Sequence, residues 1–128
     1  MTLDSAALVA ILFAEPGYLD FVDRILDADD VRIGAPTLVE ATIVVAGRRR
    51  APARRDVEGL IKELGVAVVP FGEPHWLAAV EAFTRFGRGR HPAALNLGDC
   101  IAYAIAKVAN DTLLFVGNDF SKTDIRPA

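Results

Sequence analysis

The sequence predicts an α/β fold: a central parallel sheet of four to five strands flanked by helices on both faces, in one domain over residues 1–128. Three observations predict it. Short apolar runs alternate with amphipathic stretches in the order β-α-α-β-α-α-β-α-α-β, and strands alternating with helices build parallel sheets. The 128 residues are 52% hydrophobic and 24% charged, enough apolar side chain for one core and too much for a disordered chain. Gly34-Ala35-Pro36, Gly65 and Asn110-Asp111 punctuate the pattern where elements should end.

Taken in order, Thr2-Leu3 reads as a very short strand ending at Asp4. Residues 5–13 follow as a helix with Leu8, Ile11 and Leu12 on one face, capped by Asp4 or Ser5. Pro16 is placed in the first turn of a second helix, with Tyr18, Phe21, Val22, Ile25 and Leu26 as its apolar stripe. Val31 to Gly34 reads as a strand. The helix that starts at Pro36-Thr37 is apolar nearly all round, which predicts burial on several sides or against a second subunit, and it breaks near Gly47. Val57, Leu60, Ile61 and Leu64 give the fourth helix a regular stripe.

Val66 to Val69 reads as a fully buried strand, and Glu73-Pro74 opens a fifth helix with Trp76 assigned to the core. Phe86 to Pro92 reads as a flexible basic loop. The next helix carries Leu97, Ile101, Ile105 and Val108 on one face, which is expected to be buried, with Ala102, Ala104 and Ala106 leaving room for close neighbours. Thr112 to Val116 is a second buried strand, followed by Gly117-Asn118-Asp119-Phe120, with a short final strand reaching Pro127.

Net charge is −3, so no global basic signature points to nucleic acid. Two local patches do: Arg48, Arg49, Arg50, Arg54 and Arg55 in one segment, and Arg85, Arg88, Arg90 and His91 in another. The single cysteine, Cys100, excludes an internal disulfide and reads as a small core residue. The apolar runs are far shorter than a membrane span, and no basic segment precedes an apolar run at the N-terminus, so a cytoplasmic location is expected.

Four acids stand among apolar neighbours: Asp4, Glu40, Asp99 and Asp119. A carboxylate in such surroundings is unfavourable unless something compensates it. Each has a local explanation. Asp99 would cap a helix, Asp119 would serve a turn, and a structural Glu40 would need an arginine partner. The topology gives them a common one. Asp4 and Asp119 end strands, Asp99 starts a helix, and Glu40 is placed by the helix after the second strand, so all four gather at the carboxyl edge of the sheet, where open α/β folds place their chemistry. Such a cluster suits Mg²⁺ or Mn²⁺, which prefer oxygen ligands.

Over essentially its whole length the chain resembles PIN-domain ribonucleases, specifically VapC-type toxins of bacterial toxin–antitoxin pairs. The motifs are Leu3-Asp4-Ser5-Ala6-Ala7-Leu8-Val9-Ala10-Ile11-Leu12, Pro36-Thr37-Leu38-Val39-Glu40, Leu95-Asn96-Leu97-Gly98-Asp99-Cys100-Ile101-Ala102-Tyr103-Ala104, and Leu114-Phe115-Val116-Gly117-Asn118-Asp119-Phe120-Ser121-Lys122-Thr123-Asp124-Ile125. The resemblance implies a PIN fold, Mg²⁺-dependent cleavage of RNA with Mn²⁺ as a substitute ion, a homodimer, and a cognate VapB-type antitoxin. It places Asp4 and Asp99 as the main metal ligands, Glu40 and Asp119 as completing the set, and the Ser5 hydroxyl as a positioning group. Either Glu40 or Asp119 orients the attacking water. Arg48, Arg49, Arg50, Arg88 and Arg90 are assigned to the RNA backbone. Ala6 departs from the family, where many members carry a second small hydroxyl residue. The rival reading is a non-catalytic PIN-like module that binds RNA or protein, and the complete set of four acids argues against it.

Overall fold

The computed structural model describes residues 1–49 and 52–128. Strands β1 (Thr2–Leu3), β2 (Arg32–Gly34), β3 (Ala67–Val69) and β4 (Leu113–Leu114) pair in parallel in the order β3-β2-β1-β4. The helices are α1 (Ser5–Leu12), α2 (Tyr18–Leu26), α3 (Ala35–Arg48), α4 (Ala53–Glu63), α5 (Glu73–Phe86) and α6 (Leu97–Val108). The expected fold class is the observed one. The expected final strand reduces to a single parallel bridge between Leu113 and Pro127.

Two apolar cores flank the sheet. Leu3, Leu8, Ile25, Ile33, Val45 and Val57 pack in one with α1 to α4, and Phe86, Leu95, Cys100, Tyr103 and Phe120 pack in the other with α5 and α6. Neighbouring residues of β4 divide between them: Leu114 joins the first and Leu113 the second. That is the alternation a pleated strand imposes. At the end of β2, a Cβ on Gly34 would lie 2.7 Å from Ile105 Cγ1. Glycine therefore lets α6 sit directly on the strand.

Several expectations shift in the structure. Pro16 does not begin α2. It lies in a turn closed by Gly17 at φ 90, a left-handed conformation suited to glycine, and the helix starts at Tyr18. β3 is not buried: it is the edge strand, and Ala67 and Val68 are exposed. Trp76 is not a core residue either, being 57% exposed. Helix α5 meets α6 through Ala82 and Phe86, which share a core with Ala102 and Ala106, so Trp76, Leu77, Val80 and Phe83 are turned outward. The face of α6 is likewise rotated from expectation. Leu97 is 77% exposed, whereas Cys100, Ala102, Tyr103, Ala104, Ile105 and Ala106 are buried. Small side chains, rather than the large aliphatic stripe, bring this helix to the centre of the molecule.

The basic loop is also more ordered than expected. Gly87 and Leu95 form a parallel bridge, Arg90 and His91 donate their N–H groups to the Gly87 carbonyl, and His91 Nδ1 accepts the Ala93 N–H at 3.1 Å. The second apolar strand narrows to Leu113–Leu114 because the chain bends away after Phe115, leaving Val116 exposed.

Candidate active site

Because all four strands run the same way, β1, β2 and β4 end at one edge. The Asp4 N–H donates to the Leu114 carbonyl at 2.9 Å, which fixes Asp4 at the tip of β1 beside β4. Its Oδ2 accepts the Ala6 N–H at 3.3 Å, so the same carboxylate caps α1. Asp4 is 5% exposed. Burial, then the charge of Asp99 and more weakly that of Glu40, pushes its pKa up to about 7, against the opposing backbone N–H groups of Ala6 and Ser5.

Glu40 projects from the second turn of α3. Burial raises its pKa, the nearby Ser5 hydroxyl opposes this, and Asp99 raises it further. Among the described residues no ion pair holds Glu40, so the arginine partner that a structural role would require is not found there.

Asp99 stands in the first turn of α6 in a reciprocal capping box. Asn96 Oδ1 accepts the Asp99 N–H at 2.9 Å, and Asp99 Oδ2 accepts the Asn96 N–H at 2.8 Å. The helix-capping role and the site role are therefore compatible, because the cap engages one carboxylate oxygen. Burial raises the Asp99 pKa, the Asn96 N–H lowers it, Asp119 raises it and Arg88 lowers it. Asp119 is exposed and precedes a 3₁₀ turn, Phe120–Lys122, and its carboxylate accepts no capping hydrogen bond from that turn.

The four expected acids thus lie at one edge: Asp4, Glu40 and Asp99 act on one another, and Asp119 acts on Asp99. As they stand, no three His, Cys, Asp or Glu side chains among the described residues converge tightly enough to enclose an ion. The chemistry of the donor set nevertheless fits a hard divalent cation. All the donors are carboxylate oxygens, their charges repel one another, and buried Asp4 has carboxylates rather than a cationic side chain for neighbours.

The arginines separate. The charge of Arg88 lowers the Asp99 pKa slightly, without an ion pair between them. The Arg90 guanidinium lies 5.4 Å from the centre of the Phe83 ring. Arg48 and Arg49 sit about 12 Å or more along α3 from Glu40. Arg48 pairs with Glu15 at 2.6 Å, Arg49 pairs with Asp56 at 3.0 Å, and both guanidinium groups lie over Phe13. Arg50, also assigned to RNA, lies outside the described residues.

Sequence reasoning missed three supporting features. Asn96 was legible from its three-residue spacing to Asp99. Gly98 was not, because its role is the space it leaves. The third is a network around Asp124. Tyr103 Oη donates to Asp124 Oδ1 at 2.7 Å, and Lys107 and Arg85 reach Oδ2 at 2.9 and 3.3 Å. It ties the segment after Asp119 to α5 and α6.

The PIN domain profile matches residues 1–126. The chain belongs to the PIN-domain family. Within it, the chain is 41% identical to ribonuclease VapC36 of Mycobacterium tuberculosis over 98% of its own length and 91% of that protein. It is 37% identical to VapC ribonuclease R02377 of Rhizobium meliloti, covering 96% and 97% of the two chains. These identities place it among the VapC-type PIN domains. A chain in the crystal structure of VapBC2 from Rickettsia felis, bound to a DNA fragment from their promoter, superposes with a TM-score of 0.78 over 99% of this chain and 96% of that one. At 14% identity that likeness shows the PIN fold. No helix of this PIN domain among the described residues is long and apolar enough to cross a membrane.

Proposed function

We propose that the chain, acting as a single domain, is a metal-dependent endoribonuclease, the toxin of a toxin–antitoxin pair. It hydrolyses RNA phosphodiester bonds with Mg²⁺, or Mn²⁺ in its place, held by Asp4, Glu40, Asp99 and Asp119. The observation that carries the reading is Asp4, a buried carboxylate whose charge is opposed by Asp99 and Glu40. Such a group makes sense where a cation is due to arrive.

A divalent cation at this edge supplies Lewis-acid activation of water and offsets charge on the phosphate. The chain's own residues do the rest. Asp4 and Asp99 present oxygens from a strand end and a helix start, both fixed by backbone hydrogen bonds. Ser5 adjoins Glu40, and Glu40 or Asp119 orients the attacking water. Arg88, beside Asp99, steadies the scissile phosphate, with Arg90 further along the RNA backbone.

The partners follow from the same family reading: RNA as substrate, a VapB-type antitoxin as inhibitor, and a second copy of the chain, in the cytoplasm. The homodimer is supported by the exposed apolar residues of α5 and α6. Trp76, Val80, Phe83 and Leu97 line a cleft of about 460 Å³.

The deciding experiment is cleavage of a total-RNA pool by the purified chain, freed of any partner, with Mg²⁺, Mn²⁺ or EDTA, beside Asp99→Asn. Discrete products that need both metal and Asp99 are expected. A folded, metal-binding protein that cuts nothing under any condition would instead make it a non-catalytic binding module.

A further inference from the structure

The backbone does not explain why a glycine stands at Gly98, beside Asp99. It lies in the first turn of α6, between Leu97 and Asp99, and its φ lies outside the left-handed range. Nothing in its conformation requires glycine, and within a helix alanine is the better residue. The explanation lies across the site. A Cβ on Gly98 would stand 2.5 Å from Glu40 Oε2, 2.7 Å from Oε1 and 2.9 Å from Cδ. Both carboxylate oxygens of Glu40 therefore lie against the Cα of Gly98, in space that any other residue would fill.

We infer that Gly98 is a positioning residue for Glu40: its missing side chain forms the seat in which the Glu40 carboxylate rests beside Asp99. This deepens the proposed function and rests on it, since Glu40 is taken there as part of the metal site. The clashing atoms are the far end of a flexible side chain rather than backbone. The fold can thus accept a methyl group at Gly98 by letting Glu40 swing away. The damage falls on the site and spares the stability, which separates positioning from a structural role. Both oxygens of the Glu40 carboxylate thus owe their place to the missing Gly98 side chain.

The test is a double-mutant cycle of Gly98→Ala and Glu40→Asp, in which aspartate retracts the carboxylate by one methylene. Three readouts are taken: Mn²⁺ affinity by calorimetry without RNA, thermal unfolding without metal, and the metal-free crystal structure of the Gly98→Ala protein. Gly98→Ala is expected to melt at or above the wild-type temperature, yet to bind Mn²⁺ about 10-fold or more weakly, the usual scale for disturbing a residue that supports a ligand. Its crystal structure should show the Glu40 carboxylate displaced. In the Glu40→Asp background the same substitution should change Mn²⁺ affinity by less than about 3-fold, because the shorter side chain has already vacated the seat. Wild-type affinity in Gly98→Ala, losses that multiply in the double variant, or Glu40 unmoved in the crystal would each overturn the inference. If the wild-type chain binds no Mn²⁺, the functional reading fails on its own. The crystal structure then still decides whether Gly98 seats Glu40.

Discussion

Asn96 and Asp99 hold each other across the first turn of α6, the Asn96 side chain accepting the Asp99 N–H at 2.9 Å and the Asp99 carboxylate accepting the Asn96 N–H at 2.8 Å. One pair of hydrogen bonds both starts the central helix and aims a site carboxylate. Asn96→Ala removes the cap and should lower stability by about 1 kcal/mol. It should also release Asp99 from its orientation and weaken Mn²⁺ binding by about 10-fold. Asn96→Ser, which can still cap, should recover most of the stability. Urea unfolding and metal titration of the two variants check both effects, and an Asn96→Ala protein with unchanged metal affinity would show that the cap does not aim Asp99.

The acids at the sheet edge set a pH dependence whose sign is the reverse of the usual carboxylate case. The pKa of Asp4 is raised from 3.8 to about 7 in the fold, and those of Glu40 and Asp99 are raised as well. Between the unfolded and folded values the native state holds more protons than the unfolded one, so stability falls as pH rises through that window. Metal-free protein should therefore melt at a lower temperature at about pH 8 than at about pH 5. Asp4→Asn should flatten the dependence and melt higher than wild type at the alkaline end. Adding Mg²⁺ should stabilise wild type most at the alkaline end, where the carboxylates are ionised and bind it best. Calorimetric scans with EDTA and with Mg²⁺ measure this, and a melting temperature that rises steadily across the window would rule out the buried, mutually repelling acids.

Much of this site was legible in the sequence, and the reasons are specific. Asp4 and Asp119 follow short apolar strands, and parallel topology alone brings strand ends to one edge. Glu40 is an acid within an apolar helix, a placement that asks for an explanation wherever it occurs. What could not be read is orientation. The stripe on α5 has helical spacing, yet Trp76 faces outward because Ala82 and Phe86 make the contact with α6. Periodicity gives the existence of a face, and partner packing decides which face is buried. Edge position in the sheet was equally hidden, and it exposes β3 despite its apolar residues. Gly98 carried no positive signal, since its contribution is volume left empty.

The Asp124 network gives a stability prediction independent of the metal. Asp124 is held down to about 2 in pKa because Lys107, Tyr103 and Arg85 together outweigh the opposing effect of its partial burial. Its folded pKa is depressed, so its contribution is present above the unfolded value of 3.8 and is lost as pH falls toward about 2. Tyr103→Phe removes the hydrogen bond to Oδ1 and should destabilise by about 1–2 kcal/mol. Asp124→Ala should lose more, since it leaves the buried Tyr103 hydroxyl without its acceptor and Lys107 facing Arg85. The midpoints of urea unfolding give the order directly, and equal midpoints for wild type and both variants would mean that the network contributes nothing.

The outward stripe of α5 leads to a test of assembly. If a second copy covers Trp76, Val80 and Leu97, then Trp76→Glu places a charge in an apolar interface and should convert the dimer to monomer, while the core residues Ala82 and Phe86 keep the helix folded. Sedimentation of wild type and variant at matched concentration reads the outcome. A wild-type monomer, or a variant that remains dimeric, would place the self-association surface elsewhere or remove it.

The two groups of arginines should respond differently to alanine substitution. Arg88 influences Asp99 by its charge and belongs to the loop that leads into α6, on the side from which RNA is proposed to reach the acids. Arg88→Ala should weaken RNA binding and reduce the slope of log affinity against log salt by about 0.7, the share of one phosphate contact on a single strand. Arg49 is committed to Asp56 at 3.0 Å and to the Phe13 ring at 4.8 Å. Its removal takes away an ion pair and a stacking contact between α1, the end of α3 and α4, at a stability cost of about 0.5–1 kcal/mol for a partly exposed site. The salt slope should be untouched. Binding isotherms at several salt concentrations, run on catalytically silent Asp99→Asn protein to keep the RNA intact, separate the two effects. Equal loss of salt dependence in Arg49→Ala and Arg88→Ala would mean that Arg49 leaves Asp56 to grip RNA, and the nucleic-acid surface would then extend from Asp99 to the far end of α3.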